Sequence, residues 1–188
     1  MKRSSLTTVV TICLIAASCS GDRREDVEAT GAQSAARGPR GIPAAKLDAA
    51  AKDVIAFLRG ATPFERVTLA DTVVLYVSPE GGGARTAFTR EQLRHPSNWV
   101  VQSGRQRYAF APPPGLAKLT TRLGRHFNCM EYPLSSRFAE LAQLPHVGVK
   151  LEPDSIGSCL QSWNVTLVFD PAAGSPRLVA AVYDQWEW

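Results

Sequence analysis

The chain contains no apolar run long enough to span a membrane as a helix. Its longest such run, residues 6–17, covers about 12 positions and is interrupted only by three threonines. A spanning helix needs about 20 predominantly apolar residues. The run follows Lys2 and Arg3 and ends in small residues, a pattern that is typical of a signal peptide.

The sequence also lacks the short motifs that mark common enzyme classes. It contains no G-x-S-x-G, no H-E-x-x-H and no paired-carboxylate motif. The glycine-rich stretch at 80–85 lacks the Gly-Lys-Ser/Thr ending of a phosphate-binding loop, so it predicts a hairpin turn instead. These absences exclude the enzyme classes that such motifs define, and no cofactor is predicted.

Cys19 lies where the apolar leader gives way to charged residues. The stretch Ala16-Ala17-Ser18-Cys19 resembles the lipobox of bacterial lipoproteins, with Ala16 where that family usually has leucine. In that family the preceding peptide is removed and the cysteine thiol carries a diacylglycerol. The resemblance therefore implies removal of residues 1–18 and a lipid anchor on Cys19, and two or more acyl chains make such an anchor stable. An ordinary secretory signal with an incidental cysteine is the alternative.

The resemblance also implies a location in the cell envelope, outside the cytoplasm. In the family, an aspartate directly after the cysteine commonly retains the protein at the inner membrane. This chain has Ser20 there, so the outer membrane is expected where the cell has one. Export separates the chain from nucleic acid, which is therefore not an expected partner.

Composition divides the remainder into a tether at 19–46 and one globular domain at 47–188. The tether has no aromatic residue and only two large aliphatic ones, so it cannot bury enough surface to offset its ordering entropy. We expect it to be disordered. The second part is long enough to enclose a core, and no internal repeat divides it.

Positive charge is concentrated in one part of the predicted domain. Residues 81–130 contain eight basic residues and one acid, whereas residues 131–188 contain seven acids and three basic residues. One interpretation is an ordinary solvated surface. The other is a salt-sensitive contact with anionic lipid or cell-wall polymer. The residues for that contact would be Arg85, Arg90, Arg94, Arg105, Arg107, Lys118, Arg122 and Arg125.

Hydrophobic periodicity predicts an α+β fold, with an N-terminal helix packed on a mainly antiparallel, curved β-sheet and one short extra helix. The helices are expected at 47–60 and 135–144. The stretch 116–123 fits a strand or a helix equally. This order of elements loosely resembles the cone-shaped nuclear-transport-factor-two-like superfamily. Alternating strands are expected at 72–79, 107–111, 146–152, 162–169 and 177–186, the last two as an antiparallel hairpin.

Cys129 and Cys159 are the cysteines of the predicted domain. In an exported protein they are most simply a disulfide, which would stabilise the fold by about 3–4 kcal/mol. The alternatives are a thiol nucleophile or a metal ligand, because His126 lies three residues before Cys129 and Glu131 is near. A tetrahedral site would also need His146 and Cys159, and no metal site is predicted.

Two hypotheses for function follow. The first is a non-enzymatic, lipid-anchored envelope protein whose domain binds or scaffolds an unidentified ligand or protein partner. The second is a small hydrolase or isomerase in a cone-like pocket, with Asp71, His126 or Asp184 as acid–base residues. An enzyme needs titratable side chains that converge on one cavity, and the sequence does not place these side chains together.

Overall fold

The computed structural model describes residues 42–78, 83–114, 118–127, 133–152, 163–171 and 174–184. The predicted signal peptide and most of the tether lie outside these ranges. So do Cys19, Cys129 and Cys159, and the predictions for these three cysteines stay predictions.

The predicted α+β class is confirmed, because one long helix packs on a curved, open, mostly antiparallel sheet of six strands. Helix α1 spans Ala44–Leu58, and α2 is a single turn at Ala139–Ala142. Neither helix in the described ranges is long and apolar enough to cross a membrane. The strands are β1 (Leu69–Val77), β2 (Arg85–Thr89), β3 (Val100–Ser103), β4 (Gln106–Ala109), β5 (Lys118–Leu123), β6 (His146–Glu152), β7 (Asn164–Asp170) and β8 (Arg177–Tyr183).

The large sheet has the strand order β2-β1-β8-β7-β6-β5. All neighbours pair antiparallel except β1 and β8, which are parallel. Strands β3 and β4 form a separate antiparallel hairpin. The order leaves β2 and β5 as the two edges of the sheet, and it confirms that β7 and β8 form the expected antiparallel hairpin.

Helix α1 forms over the predicted apolar stripe but begins earlier than expected, at Ala44. Ile42 is already buried, so the ordered domain includes residues that composition assigned to the tether. The helix ends at Leu58 and is followed by Gly60, whose φ of +73° suits glycine at the end of a helix. All five residues of the predicted stripe are buried: Leu47, Ala51, Val54, Ile55 and Leu58.

The sheet has two different faces because side chains alternate along each strand. On β7, Val165, Leu167 and Phe169 join the core that includes α1, and we call this side the helix face. Val168 belongs to a smaller cluster with residues from the region of α2, and we call this side the opposite face. Both faces of the central strands are therefore covered.

Several elements differ from the sequence-based expectation. The second helix is reduced to the turn of α2 and a preceding 3-10 turn at Leu134–Ser136, because Phe138 between them is not helical. Within the ambiguous stretch at 116–123, residues Lys118–Leu123 form the strand β5. Strand β2 was not predicted, since its five residues include no apolar run, and the four-residue strand β3 was not predicted either.

Candidate functional site

A hydrogen-bonded cluster of His126, Thr166 and Asp184 lies on the opposite face. The Nδ1 atom of His126 is 2.8 Å from Oγ1 of Thr166, and its Nε2 atom is 2.8 Å from Oδ2 of Asp184. The side chains of His126 and Asp184 are 1% and 0% exposed, and Thr166 is fully buried. The structure thus brings together two of the three predicted acid–base residues and adds a threonine hydroxyl.

Strand register explains how the two strand residues of this cluster meet. Thr166 on β7 pairs with Val182 on β8, and Asp184 follows two residues later on the same side of the sheet. Arg137 precedes α2 on the opposite face, and its Nη1 atom is 4.0 Å from Oδ1 of Asp184. The carboxylate therefore has an imidazole on one oxygen and a guanidinium near the other.

Gly148 on β6 allows His126 to reach the sheet. It pairs with Thr166 on β7, and the segment 125–127 crosses directly over it. A Cβ atom at position 148 would lie 2.5 Å from the carbonyl oxygen of Arg125 and 2.9 Å from Cδ2 of Phe127. Because real Cβ atoms do not make such contacts, only glycine allows this segment to lie so close to the strand.

The burial of the cluster determines what it can do. General acid–base catalysis requires a side chain that can reach a substrate within hydrogen-bonding distance. The side chains of His126, Thr166 and Asp184 are at most 1% exposed. The geometry therefore supports a structural role, in which the cluster fastens the segment 125–127 to the sheet and supplies the buried carboxylate with partners.

Asp71, the third predicted acid–base residue, lies at the other end of the sheet. It is exposed near the start of β1, whereas Asp184 follows the end of the parallel strand β8. The register pairs Leu69 with Leu178 and Val77 with Tyr183. The separation of Asp71 and Asp184 along the strands is thus about 20 Å, at about 3.3 Å per residue. The two carboxylates cannot act on one group.

The helix face contains an apolar pocket of about 260 Å³ between α1 and the strands β5 and β6. Its walls are mainly apolar, and its polar contributors are one threonine and two long basic side chains. The pocket lies at the β5 edge of the sheet, because its strand residues come from β5 and its neighbour β6. Its lining residues are Lys52, Ile55, Ala56, Arg59, Ala61, Leu119, Thr121 and Val149.

Asp48 connects α1 to β5 beside this pocket. Its Oδ1 atom accepts a hydrogen bond of 2.7 Å from the Thr121 hydroxyl, and its Oδ2 atom lies 2.6 Å from Nζ of Lys52. Partial burial acts to raise the pKa of Asp48. The hydrogen bonds from Lys52 and Thr121 and the positive charge of Lys52 outweigh that effect, so the pKa of Asp48 is lowered from its usual value.

This lowered pKa predicts a pH-dependent contribution to stability. The contribution is present above the ordinary pKa of an aspartate, about 3.8, and is lost as the pH falls through the lower folded value. The Asp48→Asn variant should therefore lose less stability on acidification below about pH 4 than the wild-type protein. Urea unfolding at a series of pH values measures this.

The control for that experiment is Asp53→Asn, which removes a carboxylate from the same helix and leaves the contacts of Asp48 with Lys52 and Thr121 in place. Thr121→Val removes the hydroxyl bond and should cost about 1 kcal/mol at neutral pH. If Asp48→Asn followed the wild-type stability curve through the acid range, Asp48 would not fasten α1 to β5 as the distances indicate.

The eight basic residues of 81–130 are all exposed, but they are distributed over different parts of the fold. One group lies at β2 and just after it, where the Arg90 and Arg94 guanidinium carbons are 5.6 and 5.8 Å from the centre of the Phe64 ring. Another group lies on and after β5, at the opposite edge, about 24 Å away for five strand spacings. The groups are Arg85, Arg90 and Arg94 at β2; Arg105 and Arg107 on the β3–β4 hairpin; and Lys118, Arg122 and Arg125 at β5.

The remaining sequence candidates do not form a site in the described ranges. His146 is half-buried, and its Nδ1 atom is 2.9 Å from the carbonyl oxygen of Leu144. Within those ranges, no group of three His, Cys, Asp or Glu side chains is arranged to hold a metal ion. Cys129 and Cys159 lie outside them, so their pairing stays a prediction.

No family model, no curated protein and no solved structure matches this chain. The likeness to the nuclear-transport-factor-two-like superfamily therefore stays a prediction from the order of elements.

Proposed function

We propose that the chain is a lipid-anchored protein of the bacterial cell envelope whose folded domain is a non-enzymatic binding module. The short apolar leader and the stretch Ala16-Ala17-Ser18-Cys19 support the anchor and the envelope location, with the outer membrane favoured by Ser20. The pocket beneath α1 supports the binding function and is the observation that carries it. The ligand places a small apolar group in this pocket.

The volume of the pocket limits the size of that group. Sites for drug-sized ligands usually measure about 300–1,000 Å³, and this pocket, at about 260 Å³, is slightly smaller. Its walls include Ile55, Leu119 and Val149, which offer no hydrogen-bonding side chain. A short aliphatic or aromatic group fits such a site, and the rest of the ligand would lie outside it.

The position of the titratable cluster favours binding over catalysis. A small hydrolase or isomerase needs acid–base side chains in the wall of the substrate cavity. Here His126 and Asp184 lie on the opposite face and are buried, while the pocket lies on the helix face. The pocket itself contributes no carboxylate or imidazole from the described residues.

Filling the pocket should weaken the binding of an apolar probe. The neutral fluorophore N-phenylnaphthylamine should bind the full chain saturably, with a fluorescence increase. Ala56→Phe places a ring in the pocket from α1 and should weaken that binding at least tenfold. Ala49→Phe puts the same ring at an exposed position of the same helix and should leave the affinity unchanged. Equal affinities for the two variants would contradict the proposal, provided that both melt near the wild-type temperature.

The anchor is tested separately in living bacteria. Cys19 should incorporate an alkyne-labelled palmitate, and the wild-type protein should partition into the detergent phase. Cys19→Ser should do neither, since the thiol that carries the lipid is lost, whereas Cys13→Ser within the leader is the matched control and should do both. Continued labelling of the Cys19→Ser protein would contradict a lipid anchor at this residue.

A further inference from the structure

Strand β5 is an edge with unpaired backbone groups. The Gly124 amide donates to the carbonyl oxygen of His146 at 2.8 Å, which fixes the alternation of hydrogen-bonded pairs between β5 and β6. The backbone N–H and C=O groups of Leu119, Thr121 and Leu123 therefore point away from β6. Within the described ranges no backbone group pairs with them, and Leu123 is 37% exposed. An extended segment can add to such an edge.

The other edge of the sheet is less suited to this. Strand β2 has only five residues. The same alternation directs the backbone N–H and C=O groups of Arg85, Ala87 and Thr89 away from β1. The outward amide of Thr89 is already bonded to Oε1 of Gln92 at 2.7 Å. This side-chain bond blocks one end of the β2 edge, in a manner by which proteins protect edge strands.

The β5 edge is also adjacent to the pocket. Leu119 and Thr121 line the pocket with their side chains while their backbone groups face outward. A strand added beyond β5 would direct every second side chain toward the helix face, next to α1. One apolar side chain of that strand would then lie at the pocket, which is the usual combination in strand addition: backbone bonds give affinity and a pocket gives specificity.

The charges around this edge select the partner. Lys118, Arg122 and Arg125 are exposed on and just after β5, and Arg59 contributes to the pocket lining; Lys52 there is already paired with Asp48. A second copy of the chain pairing through β5 would bring like charges together. We infer that the β5 edge binds an extended acidic peptide segment of another protein, with one apolar side chain in the α1 pocket; this inference rests on the proposed function of the pocket.

The test uses the full chain and an end-blocked, fluorescent seven-residue peptide that alternates glutamate with valine. Fluorescence anisotropy should detect binding that weakens as salt is raised, because exposed charges are screened. Leu123→Pro removes one outward amide without removing a bond to β6, and it should weaken binding at least fivefold. Ala87→Pro, at an outward position of β2, should leave the affinity unchanged.

Three results would overturn the inference. The first is that a peptide with lysine in place of glutamate binds as tightly as the acidic peptide. The second is that a peptide with N-methylated backbone amides binds as tightly as the unmodified one. The third is that no peptide binds while phosphatidylglycerol vesicles bind in a salt-sensitive way. The last would identify the basic edge as a membrane contact. The N-phenylnaphthylamine affinity is measured in the same samples. If it is retained when peptide binding fails, the proposed pocket function stands without the peptide.

Discussion

Replacing His126 with leucine is expected to destabilise the folded domain by about 3 kcal/mol, or about 10 °C in melting temperature. The substitution removes the 2.8 Å partner of a carboxylate whose side chain is fully buried, and it also removes the partner of the Thr166 hydroxyl. Leaving buried polar groups unpaired carries their full desolvation penalty. Thermal and urea unfolding of the variant measure the effect.

Two further variants test whether the lost stability comes from the contact between His126 and Asp184 or from the loss of any histidine. His95 is exposed, so His95→Leu should change the stability by less than about 0.5 kcal/mol. The double variant His126→Leu/Asp184→Leu should be more stable than the sum of the two single changes predicts, by at least about 1 kcal/mol, because the two residues contact each other. Strict additivity would mean that the contact contributes nothing.

Gly148→Ala is expected to have the second large effect, about 2–3 kcal/mol of lost stability. The added methyl group would lie 2.5 Å from the carbonyl oxygen of Arg125 and 2.9 Å from the ring of Phe127. The ring can rotate, but the carbonyl belongs to the backbone and moves only with the whole segment 125–127. His126 lies in that segment, so its ring resonances in NMR spectra should shift as well.

The matched variant adds the same methyl group where there is room for it. Gly104→Ala lies in the β3–β4 turn, and nothing lies within 4 Å of its new Cβ atom. Its φ of +58° makes alanine strained there by about 1 kcal/mol. It should leave the His126 resonances unchanged. A Gly148→Ala protein with wild-type stability and an unchanged His126 spectrum would contradict the placement of this segment over β6.

The sequence predicts those parts of the fold whose pattern is local. The apolar stripe of α1 and the alternation in β1, β6, β7 and β8 depend on burial of one or both faces, so periodicity identifies them. Strand β2 has no such pattern, because it is an edge strand with alternating exposed side chains. The pairing of β1 with β8 joins residues more than 100 positions apart, and nothing local in the sequence indicates it.

The candidate sites were less predictable for the same reason. His126 and Asp184 drew attention as titratable residues, but Thr166 is a polar residue in an alternating strand and gave no signal. Their contact requires the register of β7 with β8 and the absence of a side chain at Gly148. The pocket likewise combines α1 with β5 and β6, and the stretch that forms β5 fitted a helix equally well.

Under our proposal, ligands bind on the helix face and the His126 cluster is structural. Methyl chemical-shift mapping of the full chain during titration with N-phenylnaphthylamine tests it most directly. The largest shifts should occur at Ile55, Leu119 and Val149, which line the pocket, with little change at Val168 and Val182 on the opposite face. Shifts centred on Val182 and the Thr166 methyl group would contradict the claim and would place the functional site at the His126 cluster.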